Sequence, residues 1–79
     1  MNKKELKERL VKEKISRSLY SLDGGLPNEK LCLEHENGFW VVYYSERGVK
    51  TGMISFLREC EACKYIYDQI NAVFSGNVK

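Results

Sequence analysis

The stretch Asn37-Gly38-Phe39-Trp40-Val41-Val42-Tyr43-Tyr44-Ser45-Glu46-Arg47-Gly48 decides the fold. Aromatic and β-branched residues occupy both alternating sets of positions from Phe39 to Tyr44, which is the composition of a strand with two apolar faces. Asn37-Gly38 is the strongest two-residue hairpin signal, because both residues tolerate positive φ. Placing the turn there pairs Glu36 with Phe39. Counting back sets His35 opposite Trp40, Glu34 opposite Val41, Leu33 opposite Val42 and Leu31 opposite Tyr44. The strand before the turn therefore runs from about Glu29 to Glu36.

On the other side, Glu46-Arg47-Gly48 reads as a three-residue hairpin with Gly48 left-handed. That register sets Trp40 opposite Ile54 and keeps Phe56 on the same face. One face then carries Leu31, Leu33, Trp40, Val42, Tyr44, Ile54 and Phe56, and is the expected core. The other carries Cys32, Glu34, Glu36, Phe39, Val41, Tyr43, Thr51, Met53 and Ser55, and is expected to stay open. A two-residue turn at Arg47-Gly48 would move Ile54 and Phe56 to the second face, so the three-residue turn is preferred.

Helical patterns flank these strands. Asn2 followed by Glu5 is a capping-box-like start, and Leu6, Leu10, Val11 and Ile15 recur at helical spacing, predicting a helix over about 3–14. Ala62, Cys63, Ile66, Ile70, Val73 and Phe74 predict a second helix over about 59–74. Glu59 and Glu61 favour its dipole, and Gly76 is placed to stop it. Between them, Leu19, Tyr20 and Leu22 fit a short edge strand or a packed loop, and Asp23-Gly24-Gly25-Leu26-Pro27-Asn28 ends any regular element. The expected class is α+β: a three-stranded antiparallel meander with both helices on one face, in the order α-β-β-β-α.

A chain of 79 residues forms one domain, residues 1–79, with a single core of roughly 3–5 kcal/mol. The 43% hydrophobic and 30% charged fractions exclude an unfolded chain. No apolar run approaches the ~20 residues of a membrane span, and the basic N-terminus leads into no apolar segment, so the expected compartment is the cytoplasm. The net charge of +2 hides an asymmetry: residues 1–17 are net +4 and the rest is net −2. A solvated helix face accounts for this, and a contact with nucleic acid or an acidic partner is the sharper reading.

Cys32 with His35 and Cys60 with Cys63 have the ligand count of a structural zinc site. Residues three apart on a strand point to opposite faces, and the second pair sits at a helix start rather than on a knuckle turn. No metal or other cofactor is expected. A redox dithiol at Cys60 and Cys63 lacks its usual βαβ frame. His35 has no nucleophile beside it, and Gly24-Gly25 lacks the lysine and flanking elements of a phosphate loop. An enzyme is not expected. The α-β-β-β-α order is also that of double-stranded-RNA-binding domains, but those place lysines at the second helix start to meet phosphates. Here Glu59 and Glu61 stand at that place.

Three segments carry a family resemblance: Leu22-Asp23-Gly24-Gly25-Leu26-Pro27-Asn28-Glu29, Tyr43-Tyr44-Ser45-Glu46-Arg47-Gly48-Val49-Lys50, and Phe56 followed by Glu59, Glu61-Ala62-Cys63 and Tyr65. In order and spacing they resemble a family of bacterial immunity proteins encoded beside polymorphic toxins (immunity protein family fifty-nine). Leu57-Arg58 departs from it where a Ser or Thr cap belongs, and Cys60 replaces a polar residue. The resemblance implies a cytoplasmic protein that neutralises a cognate toxin domain, nucleases being frequent among such toxins, by stoichiometric binding. Aromatic anchors beside carboxylates suit that role. The expected partner-binding residues are Glu34, Glu36, Phe39, Val41 and Tyr43 on the open face, with Glu46 and Arg47 at the hairpin tip. A homodimer that buries the second face is the alternative, and RNA binding is a lesser one.

Overall fold

The computed structural model describes residues 1–76. Helix α1 (Lys3–Lys12) leads through a 3-10 turn at Arg17–Leu19 into strand β1 (Tyr20–Ser21). Strands β2 (Lys30–Glu36), β3 (Phe39–Glu46) and β4 (Val49–Phe56) follow, then helix α2 (Glu59–Gly76). The class is α+β, but the sheet has four strands in the order β1-β2-β3-β4. The three-strand expectation is corrected by β1, which pairs parallel to β2 through Tyr20 with Leu31 and Ser21 with Cys32. A parallel neighbour requires a crossover between the two strands; Leu22 and Asp23 stay on the helix side, and the chain from Gly24 to Asn28 passes over the side away from the helices.

The β2–β3 register is the expected one at every pair, from Leu31 with Tyr44 to Glu36 with Phe39. The β3–β4 register is not. Arg47 and Gly48 form a two-residue turn with φ of 51° and 77°, closing on Glu46 with Val49. A bulge then falls between Val42 and Tyr44, so that Val42 pairs with Ile54 and Trp40 with Phe56 rather than Ile54. The extra β4 residue reverses the change of face that the shorter turn imposes. Ile54 and Phe56 thus share the face of Val42 and Trp40, as expected, by a different route. Thr51 pairs with Tyr44 and so belongs to the helix side, not to the second face.

Asn2 caps α1 with a full capping box: its side chain accepts the Glu5 N–H at 2.8 Å and the Glu5 carboxylate accepts the Asn2 N–H at 3.2 Å. The helix stops two residues before the expected end. Lys14 turns left-handed at φ 58°, its N–H donates to the Val11 carbonyl, and the Ile15 N–H donates to the Leu10 carbonyl. This is a Schellman motif made without glycine, with Ile15 tucked into the core beside Leu10. At the other end the Lys3 N–H donates to the Glu59 carboxylate at 2.8 Å, which ties the two helix starts together. Helix α2 extends past the expected Phe74 to Gly76 within the described residues.

The main core lies between the sheet and the helices: Leu6, Leu10, Ile15, Tyr20, Leu22, Leu33, Val42, Ala62, Cys63, Ile66 and Ile70. Trp40 packs against it only half-buried, its ring stacked on His35 with centroids 4.2 Å apart. A second, smaller core of Cys32, Val41 and Tyr43 lies on the opposite face. Ser45 is on that side too, fully buried, with a hydroxyl that finds no partner among the described residues. An unpaired buried hydroxyl is a net cost. Ser45→Ala should therefore raise unfolding stability by about 1 kcal/mol, read as a higher urea midpoint at unchanged slope.

Candidate functional site

The sheet face expected to be open is closed at its centre, around Cys32, Val41 and Tyr43, while Glu36, Phe39, Met53 and Ser55 stay exposed. Val41 is 7% exposed and Tyr43 is 1% exposed, which corrects their placement on an open binding face. The covering element is part of the chain's own crossover, from Gly24 to Asn28. The Tyr43 hydroxyl donates to the Gly25 carbonyl at 2.7 Å. The Gly25 N–H donates to the Glu34 carboxylate at 3.4 Å. Lys50 pairs with the other oxygen of that carboxylate at 3.3 Å and sits 4.7 Å from the centre of the Tyr43 ring. Further along, the Asn28 side chain accepts the Arg47 N–H at 3.1 Å, which pins the crossover to the β3–β4 turn. Glu34, expected from sequence to meet a partner, is thus a strut of this strap.

Partial burial works to raise the Glu34 carboxyl, but the Gly25 N–H and the Lys50 ammonium outweigh it and hold the group below the ordinary glutamate range. A depressed folded value gives stability that is present above the unfolded value, about 4.3, and lost as pH falls through the folded one. Acidification below that point should loosen the strap first. Amide exchange at Gly25 should accelerate relative to the β2–β3 hairpin as pH is lowered below about 4.3. Uniform behaviour across both would remove Glu34 from this role.

The remaining expected site residues stay accessible but are scattered. Glu36 and Phe39 lie beside the β2–β3 turn, and Arg47 is exposed at the opposite end with Glu46 half-buried. The cysteines do not converge either. Cys32 is buried under the strap, Cys63 in the helix–sheet core, and Cys60 is exposed. Burial pushes the Cys32 thiol up, and pushes Cys63 up to about 11, the opposite of an activated thiolate. Among the described residues no group of three or more His, Cys, Asp or Glu is placed to hold a metal ion.

The surface that is open is the outer edge of β4. Among the described residues this strand pairs only with β3. Val49, Met53 and Ile54 on it are exposed, as is Leu57 just beyond it at 74%. The Trp40–Phe56 pair puts Phe39, also exposed, and Leu57 at adjoining positions. Edge strands normally carry charges or proline that discourage pairing. Here the strand has no proline, and its one charge, Lys50, is turned to Glu34. The sequence reading missed this edge because it searched the strand faces for a site. The signal was the run Met53-Ile54-Ser55-Phe56-Leu57, with no charge in it.

Comparison with known proteins adds nothing to this geometry: no family model matches the chain, and no curated protein or solved structure matches it. Among the described residues no helix is long and apolar enough to cross a membrane.

Proposed function

We propose that this chain acts by stoichiometric binding of a partner protein along the β4 edge, the partner being the toxin domain that the family resemblance implies. The observation that carries the reading is the eight-residue strand β4, unpaired on its outer side among the described residues and bordered by exposed Phe39, Met53, Ile54 and Leu57. An extended partner segment can add to such an edge, with main-chain hydrogen bonds for affinity and side chains for specificity. Glu36 beside Phe39 supplies a carboxylate at the rim, where it would steer a basic partner. Binding without chemistry also fits the side chains at hand, because His35 is stacked on Trp40 and burial favours the protonated form of the Cys32 and Cys63 thiols.

The strap weighs against the homodimer considered from sequence, since the centre of the face it was to bury is already filled by Tyr43, Val41 and the Gly24–Asn28 stretch. The RNA reading meets a further obstacle: Glu59 at the second helix start is engaged with the Lys3 amide.

Co-expression with a toxin domain encoded beside this protein tests the proposal. Surviving cells and a 1:1 complex on gel filtration are expected. Met53→Lys with Ile54→Lys should weaken that complex by about 100-fold or more, the scale of a binding hot spot, with little change in melting temperature because both side chains are exposed. Cell death with no complex sinks the proposal. A complex that tolerates both substitutions places the contact elsewhere.

A further inference from the structure

A second feature lies at the other edge of the sheet. Lys3 and Lys7 from α1, Arg17 from the 3-10 turn and Lys30 from β2 line one open cavity of about 300 Å³, together with Tyr20, Ser21, Leu22 and Asp23. Asp23 is the one acid in the lining, and it is already paired with Lys3 at 2.9 Å. That contact draws the Asp23 carboxyl below the ordinary aspartate range and fixes Lys3 at the rim. Lys7, Arg17 and Lys30 make no salt bridge among the described residues. Cations from three separate elements thus share a concavity whose floor, Tyr20 and Leu22, is buried and apolar. Folding gathers what the sequence shows only as a basic N-terminal stretch.

We infer that this cavity is an anion-binding site for a compact phosphate-bearing ligand of the diphosphate class. Its volume is at the lower end of small-ligand pockets, which favours a compact ligand over an extended acidic peptide. A single carboxylate would neutralise one of the three free cations. A diphosphate concentrates several charges in the same volume, and its oxygens suit a guanidinium fork flanked by ammonium groups. The site lies on β1, away from the β4 edge, and stands or falls independently of the toxin proposal.

The test is a titration of the isotope-labelled protein with pyrophosphate at a constant ionic strength of about 0.15 M, with sulfate and hexaglutamate run alongside. Saturable amide shifts confined to Lys7, Arg17, Tyr20, Ser21 and Lys30 are expected, with sulfate and hexaglutamate weaker. Arg17→Gln and Lys30→Gln should each weaken pyrophosphate roughly fivefold or more, and Lys64→Gln on the outer side of α2 should not. All three positions are exposed or half-buried, so the variants remain folded, which their spectra will show directly. Shifts that never saturate, an equal loss in Lys64→Gln, or hexaglutamate binding the same residues as tightly as pyrophosphate would each overturn the assignment.

Discussion

Tyr43→Ala is expected to cost about 3–5 kcal/mol, the range for removing a buried aromatic side chain, and so to leave little folded protein at room temperature. Tyr43 is the largest fully buried side chain. It fills the space between the sheet and the strap with Cys32 and Val41, and its hydroxyl holds the Gly25 carbonyl. Burial raises the Tyr43 phenol, so it stays a donor throughout the accessible pH range. Tyr43→Phe separates the two contributions. It keeps the ring and loses the hydrogen bond, for about 1 kcal/mol. Urea denaturation of the three proteins measures both steps. A Tyr43→Ala variant that folds like the parent and fails only in partner binding would return this residue to the open face that the sequence suggested.

Gly24→Ala is expected to cost about 1–3 kcal/mol, through a strained backbone and a displaced side chain. Gly24 has φ of 69° and is buried, and an added Cβ would sit 2.5 Å from Glu34 Oε1 and 3.0 Å from its Cγ. The carboxylate would have to swing away, losing the Gly25 amide and the Lys50 ammonium. Gly25→Ala is the control, with a similar φ of 86° but only Pro27 Cδ at 3.9 Å, so it reports backbone strain alone. A double-mutant cycle with Glu34→Ala isolates the contact. Gly24→Ala should be milder once Glu34 is shortened, and strict additivity would show that the two residues do not meet.

The hairpins illustrate how far local reading carries. Asn37-Gly38 fixed the β2–β3 register correctly, because two residues that tolerate positive φ leave the flanking strands one way to pair. Arg47-Gly48 forms the same kind of turn, yet arginine does not announce positive φ. Its conformation is held by the Asn28 side chain, nineteen positions earlier and on another element. The bulge opposite Tyr43 has no local signature beyond Gly52. The apolar alternation of Val42, Ile54, Trp40 and Phe56 nevertheless assigned their common face, since burial depends on which side a residue faces and not on its cross-strand partner.

The sequence by itself determined the two helices, the three long strands, the Asn2 cap and the face that receives the helices, all set by local turn chemistry and by periodicity. Tertiary structure alone decided what happens on the other face. Residues 23–28 read as a turn, and only the docking of Gly24 and Gly25 on Tyr43 and Glu34 makes them a cover. It is also docking that places Tyr20–Ser21 parallel to β2 and gathers Lys7, Arg17 and Lys30 around one cavity. These are contacts between segments far apart in the chain, and their free energy depends on the assembled surface rather than on any residue's own preference.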